Sequence, residues 1–557
     1  MMNTSYDMMI QKGGHGNLPC ALTMEPNQLE QNKTVYVTLR PHYENGIVTQ
    51  LQIRLVIDGE EYREGDVFDA LPLSLASCDC TLYDADSFHA SDNNGDVSME
   101  FRQGMGPFGP QREYVFARDT SGKLTIIYEA SVAAFDPYKR NPGFSLAAHD
   151  HGVTGAGLTF LLLPKGQRKY HVEYDFSKNA GGIGIAGRKK GAFGRVCTDE
   201  DLKNVYFAMG DLQEYHSEGS QLHIYTLDED NLFFDEFAHT VQIYYDYISR
   251  FFHDRSEGYS IILYPTKRTE LTGTALMGIC YMGLGNHMIQ AVAEVENVLA
   301  HELTHNWCYV LGEERMSSLF TEGTAEYYSC YMQYHTRQVD LDGYVESVNE
   351  KLRGCYCHSL ARTESYPEIY DKSWTHADCQ RIPYVKGVLL FLQLDSLIRR
   401  RTGNAATLND IILTVVDEAN AGAPMTFDDF QRLVNELTEG EAQQYIDAAI
   451  APGIPLPDSD YFGPDYELVE TTIPVTCEGF DPTVRYTDNI IRGLVPGSNA
   501  EKAGLQNGDE ILQIIADNGH PERPAEVTVR RGEETLHYSY LQQGEDVPCW
   551  QYKRKVR

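Results

Sequence analysis

The chain has 557 residues, 42% of them apolar, which allows three or four domains and a sizeable buried core. Its 46 Lys and Arg stand against 81 Asp and Glu, a formal net charge of −35 that argues against a nucleic-acid surface and against docking on anionic lipid. The excess of acid favours solubility, with some attraction for cationic ligands such as amines. The opening stretch, MMNTSYDMMIQKGGHGN, lacks the continuous apolar run of a signal peptide, and LTFLLL and VLLFLQL are too short to span a bilayer. The twelve cysteines form no Cys-x-x-Cys pair, so they read as buried thiols in a reducing, cytoplasmic setting.

In chain order, residues 1–190 read as a β-rich domain. TVYVTLRPHY and VTQLQIRLVIDG alternate apolar and polar residues, with turn signals such as DNNGD and KNAGG between strands. Two motifs there resemble ligand loops. Gly182, Gly184 and Gly187 fit G-x-G-x-x-G, but RKKGAFGR follows where a helix should start, so a glycine-rich turn is expected. DADSFHASDNNGD resembles a calcium loop, yet with Gly95 as the loop glycine, Ala90 and Phe101 fall at ligand positions, so an acidic hairpin is expected.

From about residue 232 the period changes. LFFDEFAHTVQIYYDYISRFF has helical period and YSIILYP reads as a buried strand. Helices are expected over 291–310, 322–337, 341–353, 381–401 and 426–449, then a Pro-rich linker over 450–465 and short strands in 461–557.

The chemistry concentrates in VLAHELTHNW, with His301, Glu302 and His305 as His-Glu-x-x-His. On a helix, residues i and i+4 share a face, so two imidazoles would meet one metal ion. A hydrolytic zinc site takes three protein ligands and one open position, and an adjacent carboxylate can take a proton from the attacking water. Apolar Val292, Val295, Val298 and Leu299 give the helix a face to bury. Sixteen residues separate His305 from Glu322, room for the chain to turn back and deliver a third ligand. Glu326, with twenty residues between it and His305, is the rival third ligand or a carboxylate behind an imidazole.

His-Glu-x-x-His followed by Glu-Gly-x-x-x-Tyr-Tyr resembles the gluzincin metallopeptidases, and among them the glycyl aminopeptidase family that carries a PDZ domain. Trp307, YVKGVLLFLQLDSLIRRRTGN (384–404) and GLVPGSNAEKAGLQNGDEILQI (493–514) are similar to further blocks of that family. The resemblance runs from about residue 280 to the C-terminus. It implies a multidomain α+β protein: an N-terminal β-rich domain (1–190), a thermolysin-like zinc catalytic domain with a helical extension (191–460), and a C-terminal PDZ-like domain (461–557). It implies one Zn²⁺ held by His301, His305 and Glu322, with Glu302 as general base, Tyr384 as hydrogen-bond donor to the oxyanion, and Glu326 behind the ligands. The implied activity is removal of small N-terminal residues, Gly or Ala, from peptides. An endopeptidase on the same scaffold, or an inactive interaction scaffold, are the alternatives.

Two departures from the family pattern are visible. MGLGNHM places Gly285, Asn286 and His287 where a substrate-binding Gly-Leu-Glu-His-like stretch is expected, and the Asn286 amide brings no charge to a substrate ammonium. The strand backbone over 279–287 would still pair with an extended peptide. In the PDZ-like part, IADNGHPERPAE replaces the helix that walls a peptide groove, so a structural cap is expected rather than a peptide-binding domain.

Overall fold

The computed structural model describes residues 33–556 apart from 76–77, 107, 140, 177–181, 229–233, 268–271, 277, 285–291, 374, 377–378, 380 and 518. The described chain divides into two compact units. One runs to Asp246 and includes Arg255–Gln290; the other comprises Tyr247–Asp254 and Ala291–Arg557.

The first unit is built of sheets. Thr34–Glu44 and Ile47–Asp58 pair antiparallel at the centre of a seven-stranded sheet. Asn45 and Gly46 both have positive φ, 53° and 87°, the backbone that a two-residue hairpin turn requires. Period-two alternation sends Val35, Val37, Leu39, Ile53, Leu55 and Ile57 into one core, as the sequence pattern predicts. The G-x-G-x-x-G stretch is a hairpin, Ile183–Ala186 turning into Lys189–Lys190, with no helix behind it. The acidic stretch is likewise a hairpin, Phe88–Asp92 with Gly95–Val97, and Asp92 accepts from the Asn94 amide at 2.8 Å and pairs with Arg118.

The five-stranded sheet of this unit has Leu222–Thr226, Tyr259–Pro265 and Ile279–Leu284 parallel at its centre. YSIILYP and ICYMGL are almost wholly buried, as expected for parallel strands covered on both faces. Thr272–Leu276 pairs antiparallel with Ile279–Gly283 and forms the sheet edge. The backbone of 279–283 is thus hydrogen-bonded on both sides and cannot add a peptide strand, contrary to the expectation for 279–287. Gly285, Asn286 and His287 lie outside the described residues.

The second unit is helical. In chain order we label Phe234–Phe251, whose last turn enters it, as α1, Val292–Thr304 as α2, Glu314–His335 as α3, Leu341–Cys357 as α4, Tyr366–Lys372 as α5 and Ile382–Thr402 as α6. Leu408–Asn420, Phe427–Leu437 and Ala442–Ile450 follow as α7, α8 and α9. The single helix expected over 426–449 is two, because Glu439 and Gly440 take φ of 55° and 86° and stop the first. The Pro-rich stretch after α9 is a strap held on α6: Lys386 Nζ donates to the Ala451 carbonyl and Gln393 Nε2 to that of Leu456.

The tail pairs Tyr466–Thr476 with Gln543–Arg554, and Glu510–Ile515, Pro524–Arg531 and Glu534–Leu541 form a three-stranded sheet. In PGSNAEKAGLQNGD, Ser498 caps the short helix Asn499–Ala503 (α10), Gly504 ends it at φ 108°, and Asp509 pairs with Arg531. Between Ile515 and Pro524 the described residues contain no helix. Among the described residues no helix is long and apolar enough to cross a membrane, and the cysteines are thiols rather than disulfides.

Candidate metal centre

His301 lies in the last turn of α2, and the helix ends at Thr304 rather than running to 310. The Asn306 and Trp307 amides donate to Leu303 and Thr304 carbonyls, closing the helix with a tight turn that contains His305. That turn preserves the i, i+4 relation, so both imidazoles still face one point. Val298 and Leu299 are buried as predicted, while the side chains of 292–296 lie outside the description. Trp307 anchors the turn: its indole N–H donates to Asp254 at 3.0 Å and its ring stacks on Phe252.

Glu322 and Glu326 sit one turn apart on α3, both buried. Tyr384 stands near the start of α6, where Pro383 occupies the first turn without losing a helical hydrogen bond. Two glycines bring these helices together. A Cβ on Gly323 would lie 2.7 Å from the Gly387 Cα, and one on Gly387 would meet Gly323 in turn. Only residues without a side chain allow backbones this close. This gives a physical reason for Glu-Gly in one motif and Tyr-x-Lys-Gly in the other. The contact carries Tyr384, one turn before Gly387, against His301, with ring centroids 5.7 Å apart.

The donor atoms converge. His301 Nε2 and His305 Nε2 are 3.1 Å apart, and a Glu322 carboxylate oxygen lies 3.4 Å from the first and 3.7 Å from the second. Three corners of a tetrahedron around zinc, with bonds of about 2.0–2.1 Å, are about 3.3–3.4 Å apart. The donor set and its spacing therefore fit a zinc ion. Among the described residues this is the one group of His, Cys, Asp and Glu spaced to hold a metal. Glu326 faces the opposite nitrogen, with Oε1 3.4 Å from His301 Nδ1. Between the two rival carboxylates, it is Glu322 that joins the Nε2 atoms.

Burial opposes charge throughout the cluster. It disfavours a proton on His301, but hydrogen bonds to Glu322 and Glu326 outweigh it and lift that ring to about 9. At His305 burial prevails over the Glu322 charge, and the ring is pushed down to about 4. Burial would raise the Glu326 carboxyl, yet Lys351 and His301 hold it well below the usual carboxylate range. Burial, reinforced by Glu322, pushes the Tyr384 phenol well above its ordinary value, so it stays a hydrogen-bond donor at neutral pH.

Glu302 is buried beside His301 on α2, and its charge acts on both His301 and Tyr384. Of the residues read from the sequence, His301, Glu302, His305, Glu322, Glu326 and Tyr384 come together here. Two neighbours escaped that reading. Arg381 lies with its guanidinium carbon 5.7 Å from the centre of the Tyr384 ring. Lys351 of α4 forms an ion pair with Glu326. Neither has a signal in spacing; in α4 the burial of Lys351 on the face turned to α3 is the only mark.

No family model matches the chain, and no curated protein matches it. Solved structures do. The chain superposes on an aminopeptidase N family protein from Idiomarina loihiensis with a TM-score of 0.63 at 13% identity, over 94% of this chain and 98% of that one. It shares that fold: an N-terminal β-rich region followed by a helical part. Looser likenesses are leukotriene A4 hydrolase from Saccharomyces cerevisiae (TM-score 0.46, 14% identity, 78% of this chain and 70% of that one) and an M1 zinc metallopeptidase from Deinococcus radiodurans (0.43, 14%, 77% and 95%).

Proposed function

We propose that the chain is a zinc-dependent peptidase, and within that class an aminopeptidase that favours small N-terminal residues such as Gly or Ala. The observation that carries this reading is the convergence of His301 Nε2, His305 Nε2 and Glu322 Oε2 at ligand spacing, with Glu302 and Tyr384 buried beside them. One zinc ion bound there supplies Lewis acidity towards the peptide carbonyl and its attacking water. Glu302 takes the proton from that water and returns it to the departing amine. Tyr384, held protonated, donates its O–H to the oxyanion that develops on the attacked carbonyl, a bond stronger in the transition state than before it. Glu326 accepts the Nδ1 proton of His301 and leaves Nε2 free as a donor to the metal.

The finer family reading, a glycyl aminopeptidase with a PDZ-like tail, rests on the motifs around 301–328, 384–404 and 493–514. It includes the division at about 190 and 460 and a cytoplasmic, thiol-preserving location. The tail is read as a trimmed PDZ module acting as a structural cap, which the lack of helix among the described residues between Ile515 and Pro524 supports. An endopeptidase is the second reading, favoured by Asn286, which offers an amide where a substrate ammonium calls for a carboxylate. Gly- and Ala-anilides and N-acetylated peptides, assayed with and without a chelator, separate the readings. Chelator-sensitive release from free N-termini alone is expected. Equal cleavage of blocked peptides would replace the aminopeptidase with an endopeptidase, and no chelator-sensitive cleavage of any substrate would end the enzyme reading.

A further inference from the structure

Helix α4 is held from two sides. Towards α3, the buried Lys351 pairs with Oε2 of Glu326, whose Oε1 lies 3.4 Å from His301 Nδ1. Away from α3, the residues on either side of Lys351 grip the C-terminal strands and loop. Asn349 Nδ2 donates to the Tyr552 carbonyl at 2.9 Å and its Oδ1 accepts the Tyr552 amide at 2.8 Å, two bonds that fix the helix against a strand. Glu350 pairs with His520 at 2.6 Å. Arg353 donates to the Gly519 carbonyl and pairs with Glu522, both at 2.5 Å. The loop that takes the place of a PDZ helix is therefore occupied with α4.

A buried ion pair adds little net stability, because the desolvation of both charges offsets their attraction. What Lys351–Glu326 does add is orientation. One oxygen pairs with the Lys351 ammonium and the other lies 3.4 Å from His301 Nδ1, so rotating the carboxylate away from that ring would pull it off the ammonium. Carboxylates behind ligand imidazoles set ring direction and tautomer.

We propose that Lys351 is a positioning residue for the metal centre: braced by the C-terminal module through Asn349, Glu350 and Arg353, it pins Glu326 on His301 Nδ1 and so aims His301 Nε2 at the metal. The inference builds on the zinc reading above and extends it to the tail, which becomes the foundation of a strut reaching a ligand.

The test is zinc affinity of the purified full-length chain, measured by competition with a chromogenic chelator, so that no turnover enters the readout. Lys351→Met is expected to weaken zinc binding about 10–100-fold, the range for partners behind a ligand. Lys351→Arg, which keeps a cation at Glu326, is expected to regain most of it. In a Glu326→Gln background, Lys351→Met is expected to add nothing further, since both act through one carboxylate. Should Lys351→Met not fold, Lys351→Gln takes its place and must show the same loss and the same lack of effect beside Glu326→Gln. Wild-type affinity in the folded variant, or an undiminished further loss beside Glu326→Gln, overturns the proposal. A wild-type chain that binds no zinc overturns the zinc reading instead.

Discussion

Two buried clusters in this protein both join histidine to a carboxylate and reach opposite ends. In the sheet-built unit, His149 has its Nδ1 3.0 Å from Asp228 and its Nε2 2.9 Å from the Thr154 hydroxyl, with the Tyr281 hydroxyl 3.3 Å from that same nitrogen. Each ring nitrogen is met by a side chain of complementary kind, and the network is closed. In the helical unit, His301, His305 and Glu322 turn two imidazole nitrogens and a carboxylate oxygen towards one another at 3.1–3.7 Å. All three can offer an electron pair to one cation placed between them. Both clusters are buried and hold histidine with a carboxylate, so neither property identifies a metal site; the mutual spacing of the donor atoms does.

The strongest way to break that comparison is through chemistry. Glu302→Gln is expected to retain one bound zinc while kcat/KM falls about 10²–10⁴-fold, the usual contribution of a general base. Metal content and turnover measured on the same sample check it; a small rate effect would remove Glu302 from its role. Glu322→Gln, in contrast, is expected to lose the metal, and retention of full zinc there with loss in Glu326→Gln would exchange their places.

The closed cluster should behave in the opposite manner. His149→Leu leaves Asp228 buried without its partner and is expected to lower stability by about 3–5 kcal/mol, with zinc stoichiometry unchanged. Denaturant unfolding and metal analysis read both quantities, and a zinc loss without destabilisation would contradict the distinction.

A smaller effect is expected where the metal cluster depends on helix approach. Gly387→Ala inserts a methyl group against Gly323, at a cost of about 1–3 kcal/mol if the helices part to accept it. Because Tyr384 rides on that contact, kcat should fall more than substrate affinity. An unchanged melting temperature and kcat would show that the two helices have slack.

The smallest effect is that of pH on the tail contact. Glu350 raises the pKa of His520, with burial opposing and Glu522 assisting. A raised histidine stabilises the fold fully below its unfolded value, near pH 6.5, and loses that contribution as pH rises through its folded value. The loss is expected to be under about 1 kcal/mol, because its partners Glu350 and Glu522 are partly exposed and screened by solvent. Melting curves from pH 6 to 9 for the wild type and His520→Gln should converge at the alkaline end; parallel curves would exclude the linkage.

Much of the architecture was legible in local pattern. Alternation in 34–58 set both strands and their inward faces, because side chains in a strand alternate whatever the fold around them. The unbroken apolar run in 259–265 marked a buried strand, whereas 279–284 read as an open edge and is paired on both sides. Helix limits were less legible. A hydrophobic period does not show where a turn tightens, as at Thr304, or where backbone reverses hand, as at Glu439 and Gly440. The edge of the five-stranded sheet was also out of reach, since strand order depends on partners distant in the chain.

For the site itself, helical spacing alone placed His301 and His305 on one face and paired Glu322 with Glu326 on another, because those relations follow from 3.6 residues per turn. It could not choose between the two carboxylates, which share a face of α3. Tertiary structure separated them by setting α2 against α3, so that one oxygen meets the Nε2 atoms and the other the far nitrogen of His301. It likewise brought in Tyr384 through the contact of Gly323 with Gly387, and Lys351 through a helix clamped by the tail. Sequence determines which groups a single element presents; distances between elements are decided by how closely their backbones pack, and that is known only once the whole chain has folded.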